Sequence, residues 1–390
     1  MEAWGENQKL LGSRVSRRKL LQAGAVAIGA ASVGLMACTE EKDAAKATKA
    51  AVQPSRASPT KLDLRNEGSV ADSAEVVCLV DNFVDLTMGG SESVRRPQAT
   101  LLGSAVPTDA APFVGPGRIT RTLRAEHGFS ALISLTVDGE NHSVLLDTGT
   151  SLDGLGHNAE TLGLDLSTIE ALILSHGHLD HTAGLGYVAG KVEGRGIPLI
   201  AHPDAWLERR VAIPGIEPIE LPPARRDRLE EAGFEIGESK SPVYLFGGAL
   251  LATGEVERTT EFELGLPFVE AKRDGRWEAD PLIWDDQAVV LNVRGKGLVV
   301  VTGCGHSGVI NTLRHAVRLT GVERVHAVIG GFHLTTGFEP VIAPTVEAMA
   351  EIGPQMIVPM HCTGWKAIHA FAAAMPEAFV QNGAGTTYLF

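Results

Sequence analysis

Apolar residues along this chain occur in two kinds of run. Over residues 130–137 they alternate, with Ala131, Ile133, Leu135 and Val137 on one face, and Val144-Leu145-Leu146 follows after Asp138-Gly139. Alternation on both sides of an Asp-Gly pair predicts a β-hairpin. The second kind is short and continuous: residues 76–80, 171–174, 197–201, 289–293, 298–301, 327–329 and 356–360. Runs of this length bounded by polar residues read as strands buried on both faces. Helices are predicted from His157-Asn158, over 184–192, and along the stripe Val309, Ile310, Leu313, Ala316, Val317. Residues 89–118, with repeated Gly and Pro, read as a long loop, and the Pro- and charge-rich 212–242 as a surface excursion. Helices alternating with short apolar strands and hairpins predict layered sheet covered on both faces.

Ahead of residue 75 the pattern changes. Residues 39–74 are rich in Ala, Lys, Glu, Ser and Pro. Such a stretch buries too little apolar surface to offset its ordering entropy, so it reads as a flexible linker. Residues 23–37 form an uncharged run of small residues, short for a membrane span but suited to a removable signal. Before it, Ser16-Arg17-Arg18-Lys19-Leu20-Leu21 is similar to a twin-arginine export motif. After it, Leu35-Met36-Ala37-Cys38 is similar to a lipoprotein cleavage box. The expected organisation is a signal over 1–38, a linker over 39–74 and a catalytic domain over 75–390. The expected location is the periplasm or outer side of the cytoplasmic membrane. A lipid on Cys38 would be the only membrane attachment; simple cleavage with loss of Cys38 is the alternative.

Charge narrows the partners. The 390 residues carry a formal −13, and because residues 1–38 hold five basic and two acidic side chains, the remainder carries −16. A surface that acidic repels phosphate backbones, which weighs against nucleic acid and leaves a small-molecule substrate.

The candidate chemistry follows the run at 171–174, in Ser175-His176-Gly177-His178-Leu179-Asp180-His181. Three imidazoles and a carboxylate within six residues cannot share one face of a helix or strand, so they belong to a loop converging on a point. Gly177 is expected to give that loop its tight turn. Imidazole and carboxylate are ligands that zinc, iron or manganese accept. Three later strands also end in Gly/Cys/His clusters, which places His306, His333 and His361 at the same sheet edge as His176. Cysteines suggest no staple: with Cys38 in the signal, Cys78, Cys304 and Cys362 remain, without zinc-cage or disulfide spacing.

The His-x-His-x-Asp-His spacing resembles the signature of the metallo-β-lactamase superfamily. Glu126-His127-Gly128-Phe129-Ser130, Thr253-Gly254-Glu255, Asp285-Asp286-Gln287-Ala288 and the later His clusters resemble its dihydropteroate-synthase-like branch. The resemblance implies an α/β fold, an αββα sandwich of two mixed sheets flanked by helices, and two divalent metal ions, zinc first, manganese or iron otherwise. It implies His176 and His178 on one ion, Asp180, His181 and His361 on the second, and Asp147 behind them orienting a histidine. The aspartate that bridges both ions in the superfamily is replaced here by Gly303-Cys304-Gly305-His306. Either Cys304 or His306 could take its place; the risk of thiolate oxidation outside the cytoplasm favours His306. His333 is a candidate substrate-facing imidazole, and Glu126 and Glu255 are candidates for contact with substrate or metal. The expected activity is metal-dependent hydrolysis, with Asp180 moving a proton and His333 facing an oxyanion. A pterin-linked transferase releasing diphosphate and a non-catalytic metal- or ligand-binding lipoprotein are the other readings.

Overall fold

The continuous apolar runs divide, residue by residue, between three cores. A computed structural model describes residues 70–97, 106–335 and 339–390; the twin-arginine segment, Cys38 and nearly all of the linker lie outside them. In Ser73–Val80, Val76 and Cys78 face one core while Val77 and Leu79 face another. Leu172 and Leu174 likewise part from Ala171 and Ile173, and Val289 and Leu291 from Val290. This is period-two alternation with both faces buried.

Two sheets result. One runs, edge to edge, through Glu235–Glu238, Pro198–Ala201, Ala171–Ile173, Glu140–Leu146, Ser130–Val137, Ser73–Val80, Thr387–Leu389 and Val94–Arg95. The other runs through Val243–Leu245, Leu250–Ala252, Ala288–Val293, Gly297–Thr302, Val325–Gly331 and Met356–Met360. Their facing sides form the central core, from Val76, Ile133 and Leu146 on one sheet to Val299, Ile329 and Val358 on the other. The outer face of the first sheet packs on the helices Gly154–Leu162 and Leu185–Val192, and that of the second on Val309–Thr320, Glu339–Ile352 and Trp365–Ala374. Helix, sheet, sheet, helix is the layer order. Among the described residues, no helix is long and apolar enough to cross a membrane.

Several boundaries differ from the sequence pattern. The first strand begins at Ser73, and Ala71 is already fully buried and bridged to Val293, so the sheet takes in residues assigned to the linker. The 212–242 excursion contains the edge strand Glu235–Glu238, parallel to Pro198–Ala201. Only Ile236 of that strand packs inward, so its apolar signal is weak. Residues 89–118 hold short pairings at Val94–Arg95 and between Thr108–Ala110 and Arg118–Thr120. The hairpin turn is as expected: Asp138 (φ 49°) and Gly139 (φ 82°) are both left-handed, matching the right-handed strand twist. A separate small sheet, Ile219–Leu221, Arg209–Val211, Val269–Arg273 and Arg276–Ala279, is built from two insertions, one between Pro198–Ala201 and Glu235–Glu238 and one between Leu250–Ala252 and Ala288–Val293.

Candidate metal centre

Parallel strands deliver their carboxyl ends to one edge, where open α/β sheets place their sites. Leu146 leads to Asp147, Ile173 to His176, Thr302 to Cys304 and His306, and Met360 to His361. There the side chains gather in two clusters. In the first, His176 Nε2 lies 3.0 Å from His178 Nδ1, and His306 Nε2 lies 3.2 Å from each of them. In the second, His361 Nε2 is 3.2 Å from His181 Nε2 and 3.2 Å from Asp180 Oδ2. Cys304 Sγ is 3.1 Å from His181 Nε2. Its thiol groups with Asp180, His181 and His361 and also with His176 and His306, each set lying within 4.8 Å. His306 thus joins His176 and His178 in the first cluster, and Cys304 is the residue that the two groups have in common. In this turn Gly305 is left-handed (φ 66°).

The electrostatics suit ligands. Burial, reinforced by neighbouring imidazoles, holds His176 and His306 well below the ordinary histidine pKa, and burial with the Arg209 charge brings His178 to about 4. Burial also pulls on His181, but Asp180 and Asp147 outweigh it and raise its pKa. Burial opposes ionisation of Asp180, yet His181 and His361 hold its pKa far below the usual carboxylate range. Around a tetrahedral zinc with nitrogens at about 2.0–2.1 Å, ligand atoms stand about 3.3 Å apart. The spacings of both clusters fit a cation of that size. Three mutually close imidazole nitrogens cannot all be satisfied by sharing protons among themselves.

Behind the ligands lies a frame of carboxylates. Asp147, fully buried at φ 58°, accepts from Ser175 N (2.7 Å), Ser175 Oγ (2.6 Å) and His181 Nδ1 (2.7 Å). Asp81 accepts from His361 N at 3.0 Å while Asn82 Nδ2 donates to His361 O at 2.9 Å, holding His361 at φ 49°. Asp286 accepts from Ser307 N, and Asp285 from Gly177 N, each at 2.9 Å. Left-handed non-glycine residues at a site store strain that such neighbours must fix. Asp81, Asn82 and Asp286 had gone without a role in the sequence reading; the polar pair closing an apolar strand was the signal for the first two.

Two glycines serve close approach. Gly177 is not left-handed; a Cβ there would lie 2.0 Å from Ala205 O, so the residue lets the metal loop meet the turn Pro203–Trp206. At Gly303 a Cβ would lie 2.1 Å from Ser175 Oγ.

Other candidates fall in neither ligand group. Glu126 Oε1 accepts from Thr150 N and Ser151 N, at 2.8 and 3.1 Å, and so clamps the loop after Asp147. Glu255 pairs with His202 Nε2 (3.0 Å) and Lys240 (2.9 Å). His333, at φ 44°, is brought to a pKa of about 4 by burial and the charge of His178, and its ring lies 4.3 Å from that of His306. His127, not singled out in the sequence reading, lies 5.0 Å ring to ring from His361. Cys78, Cys304 and Cys362 are free thiols.

Arg209 had no sequence signal beyond its place in a doublet, yet it is 1% exposed. It donates to Asp280 at 3.0 Å and to both oxygens of Asp285, at 3.2 and 2.6 Å, tying the inserted sheet to the carboxylate that holds Gly177. Arg209→Met should cost about 3–5 kcal/mol, because it leaves the buried Asp285 carboxylate without its cation, whereas Asp280 keeps Arg273 at 3.3 Å. Urea unfolding measures this, and a loss below about 1 kcal/mol would show that the pair is not needed.

Comparisons with known proteins agree with this geometry. Residues 127–317 match the family model described as Metallo-beta-lactamase superfamily. Over 277 residues the chain is 31% identical to the 7,8-dihydropterin-6-methyl-4-(beta-D-ribofuranosyl)-aminobenzene-5'-phosphate synthase of Methanocaldococcus jannaschii, covering 68% of this chain and 90% of the synthase. An uncharacterized protein of that organism is 31% identical over 247 residues, covering 63% of this chain and 86% of the other. A solved structure of a metal-dependent hydrolase of the beta-lactamase superfamily shares the fold, with TM-score 0.59 and 24% identity over 80% of this chain and 98% of that one. The chain belongs to the metallo-beta-lactamase superfamily and is homologous to the Methanocaldococcus synthase.

Proposed function

We propose that this protein is an exported metal-dependent hydrolase acting on an ester, phosphoester or related bond of a small molecule. The observation that carries the reading is the pair of ligand clusters, side by side at the strand ends and joined at Cys304. Zinc there, or manganese or iron, would acidify water and neutralise charge developing on the attacked or leaving oxygen. His176, His178 and His306 would hold one ion, and Asp180, His181 and His361 the other. Asp180, whose side chain is 24% exposed, can take a proton from the nucleophile and return it to the leaving group. His333 can turn an N–H toward an oxyanion. The acidic surface supports a small-molecule partner over nucleic acid, and the Arg17-Arg18 signal supports export, with Cys38 as a lipid anchor.

A second reading, a pterin-linked transferase releasing diphosphate, is supported by the 31% identity to the Methanocaldococcus synthase. One assay separates the two: a metal-loaded preparation is given a dihydropterin diphosphate ester with and without an arylamine. Diphosphate release that requires the amine assigns the transferase; release in water alone, or turnover of simple phosphoesters, assigns the hydrolase. His178→Ala should abolish either activity and weaken metal binding by more than the about 10–100-fold that loss of an outer partner costs. Full turnover by that variant would rule out metal chemistry.

A further inference from the structure

We infer that Cys304 is a bridging thiolate, the single side chain that binds both cations, and that it sets the site's preference for zinc over manganese. The inference rests on the metal-dependent reading above and adds to it the identity of the shared ligand. Among the described residues, Cys304 is common to both clusters: its Sγ groups with the second-cluster ligands Asp180, His181 and His361, and with His176 and His306 of the first. Its Sγ lies 3.1 Å from His181 Nε2, close enough for one ion to reach both atoms. His306 reaches His176 and His178 at 3.2 Å and belongs to the first group alone.

The position is built rather than incidental. Gly303 lets the turn close on Ser175 and Asp147, as its lack of a Cβ requires, and Gly305 takes the left-handed φ of 66° in the same turn. The thiol is 2% exposed. Cys362, the other nearby thiol, falls in neither ligand group, and its Sγ donates to the backbone oxygen of Cys304 at 3.3 Å. Binding would form two metal–sulfur bonds and release the thiol proton to solvent. The first cation would then see three nitrogens and a sulfur, the second two nitrogens, an oxygen and the same sulfur. Thiolate selects zinc and other borderline or soft metals, whereas manganese favours oxygen ligands.

Zinc-edge X-ray absorption of the full chain, loaded with two equivalents of zinc, tests this without a variant. A bridging thiolate gives one sulfur per zinc at about 2.3 Å. Half a sulfur per zinc would make Cys304 a terminal ligand, and none would remove it from the site; either overturns the inference. Cobalt(II) substitution then assigns the sulfur. Thiolate-to-cobalt absorption should persist in Cys362→Ser and vanish in Cys304→Ser, and the opposite pattern would transfer the role to Cys362. Cys304→Asp should narrow the zinc-to-manganese affinity ratio at least tenfold, and an unchanged ratio would remove the claim about selectivity. Failure of the wild-type chain to bind any metal would instead overturn the metal-dependent reading itself.

Discussion

Asp147→Asn is expected to bind the second cation about 10–100-fold more weakly than wild type, although the change removes one charge and almost no volume. The reason lies in proton bookkeeping on His181. Asp147 Oδ2 accepts from His181 Nδ1 at 2.7 Å, which fixes the proton there and leaves Nε2 with its lone pair aimed at Cys304 and His361. An asparagine that keeps its oxygen on Ser175 N turns its amide N–H toward Nδ1. His181 would then accept at Nδ1 and carry its proton on Nε2, where the cation belongs. Asp147→Ala should bind no better and should also destabilise the fold by about 1–3 kcal/mol, since Ser175 N is left buried without an acceptor. Competition titration with a chromogenic chelator and urea unfolding separate the two effects. Wild-type affinity for both cations in Asp147→Asn would mean that His181 is not oriented by Asp147.

The elements that carry the ligands were legible because each is short, apolar and buried on both faces, and because each stops abruptly at a glycine or a polar residue. The run at 356–360 could be read to its last residue, since His361 breaks it. What surrounds the ligands was not legible, for physical reasons. Asp81 holds His361 across 280 positions of sequence, and Asp285 holds Gly177 across 108, so no local period reports either pairing. Arg209 reads as half of an exposed doublet; only strand alternation in an inserted sheet turns it inward while Arg210 pairs with Glu270 nearer the surface. A Gly-Cys-Gly-His string does not reveal which of its two side chains groups with both ligand sets, because that depends on contacts Cys304 makes with residues from distant strands.

Removing the cations should leave a folded protein that melts about 15 °C lower. Two opposing features set that expectation. The ligand-bearing turns are held by Asp81, Asp147, Asp285 and Asp286, each accepting a backbone N–H, and none of these bonds needs a metal. The sandwich therefore has its own core and its own frame, unlike small domains that unfold without zinc. The ligands themselves are crowded: three imidazole nitrogens at 3.0–3.2 Å have no mutual hydrogen-bond pattern that satisfies them all. A cation present at about 1,000 times its Kd adds about 4 kcal/mol to the folded state. For two cations, at about 2 °C per kcal/mol in a chain of this size, the shift is about 15 °C. Calorimetry before and after dialysis against chelator, with metal content measured on both samples, gives the answer. His178→Ala, which disables the first cluster, should show roughly half the shift. An unchanged melting temperature in demonstrably metal-free protein would mean that the clusters are stable on their own and that cations are not bound there with useful affinity. Unfolding at 25 °C on chelation would mean that the carboxylate frame cannot stand without the ions, and that metal loading has to precede folding rather than follow it.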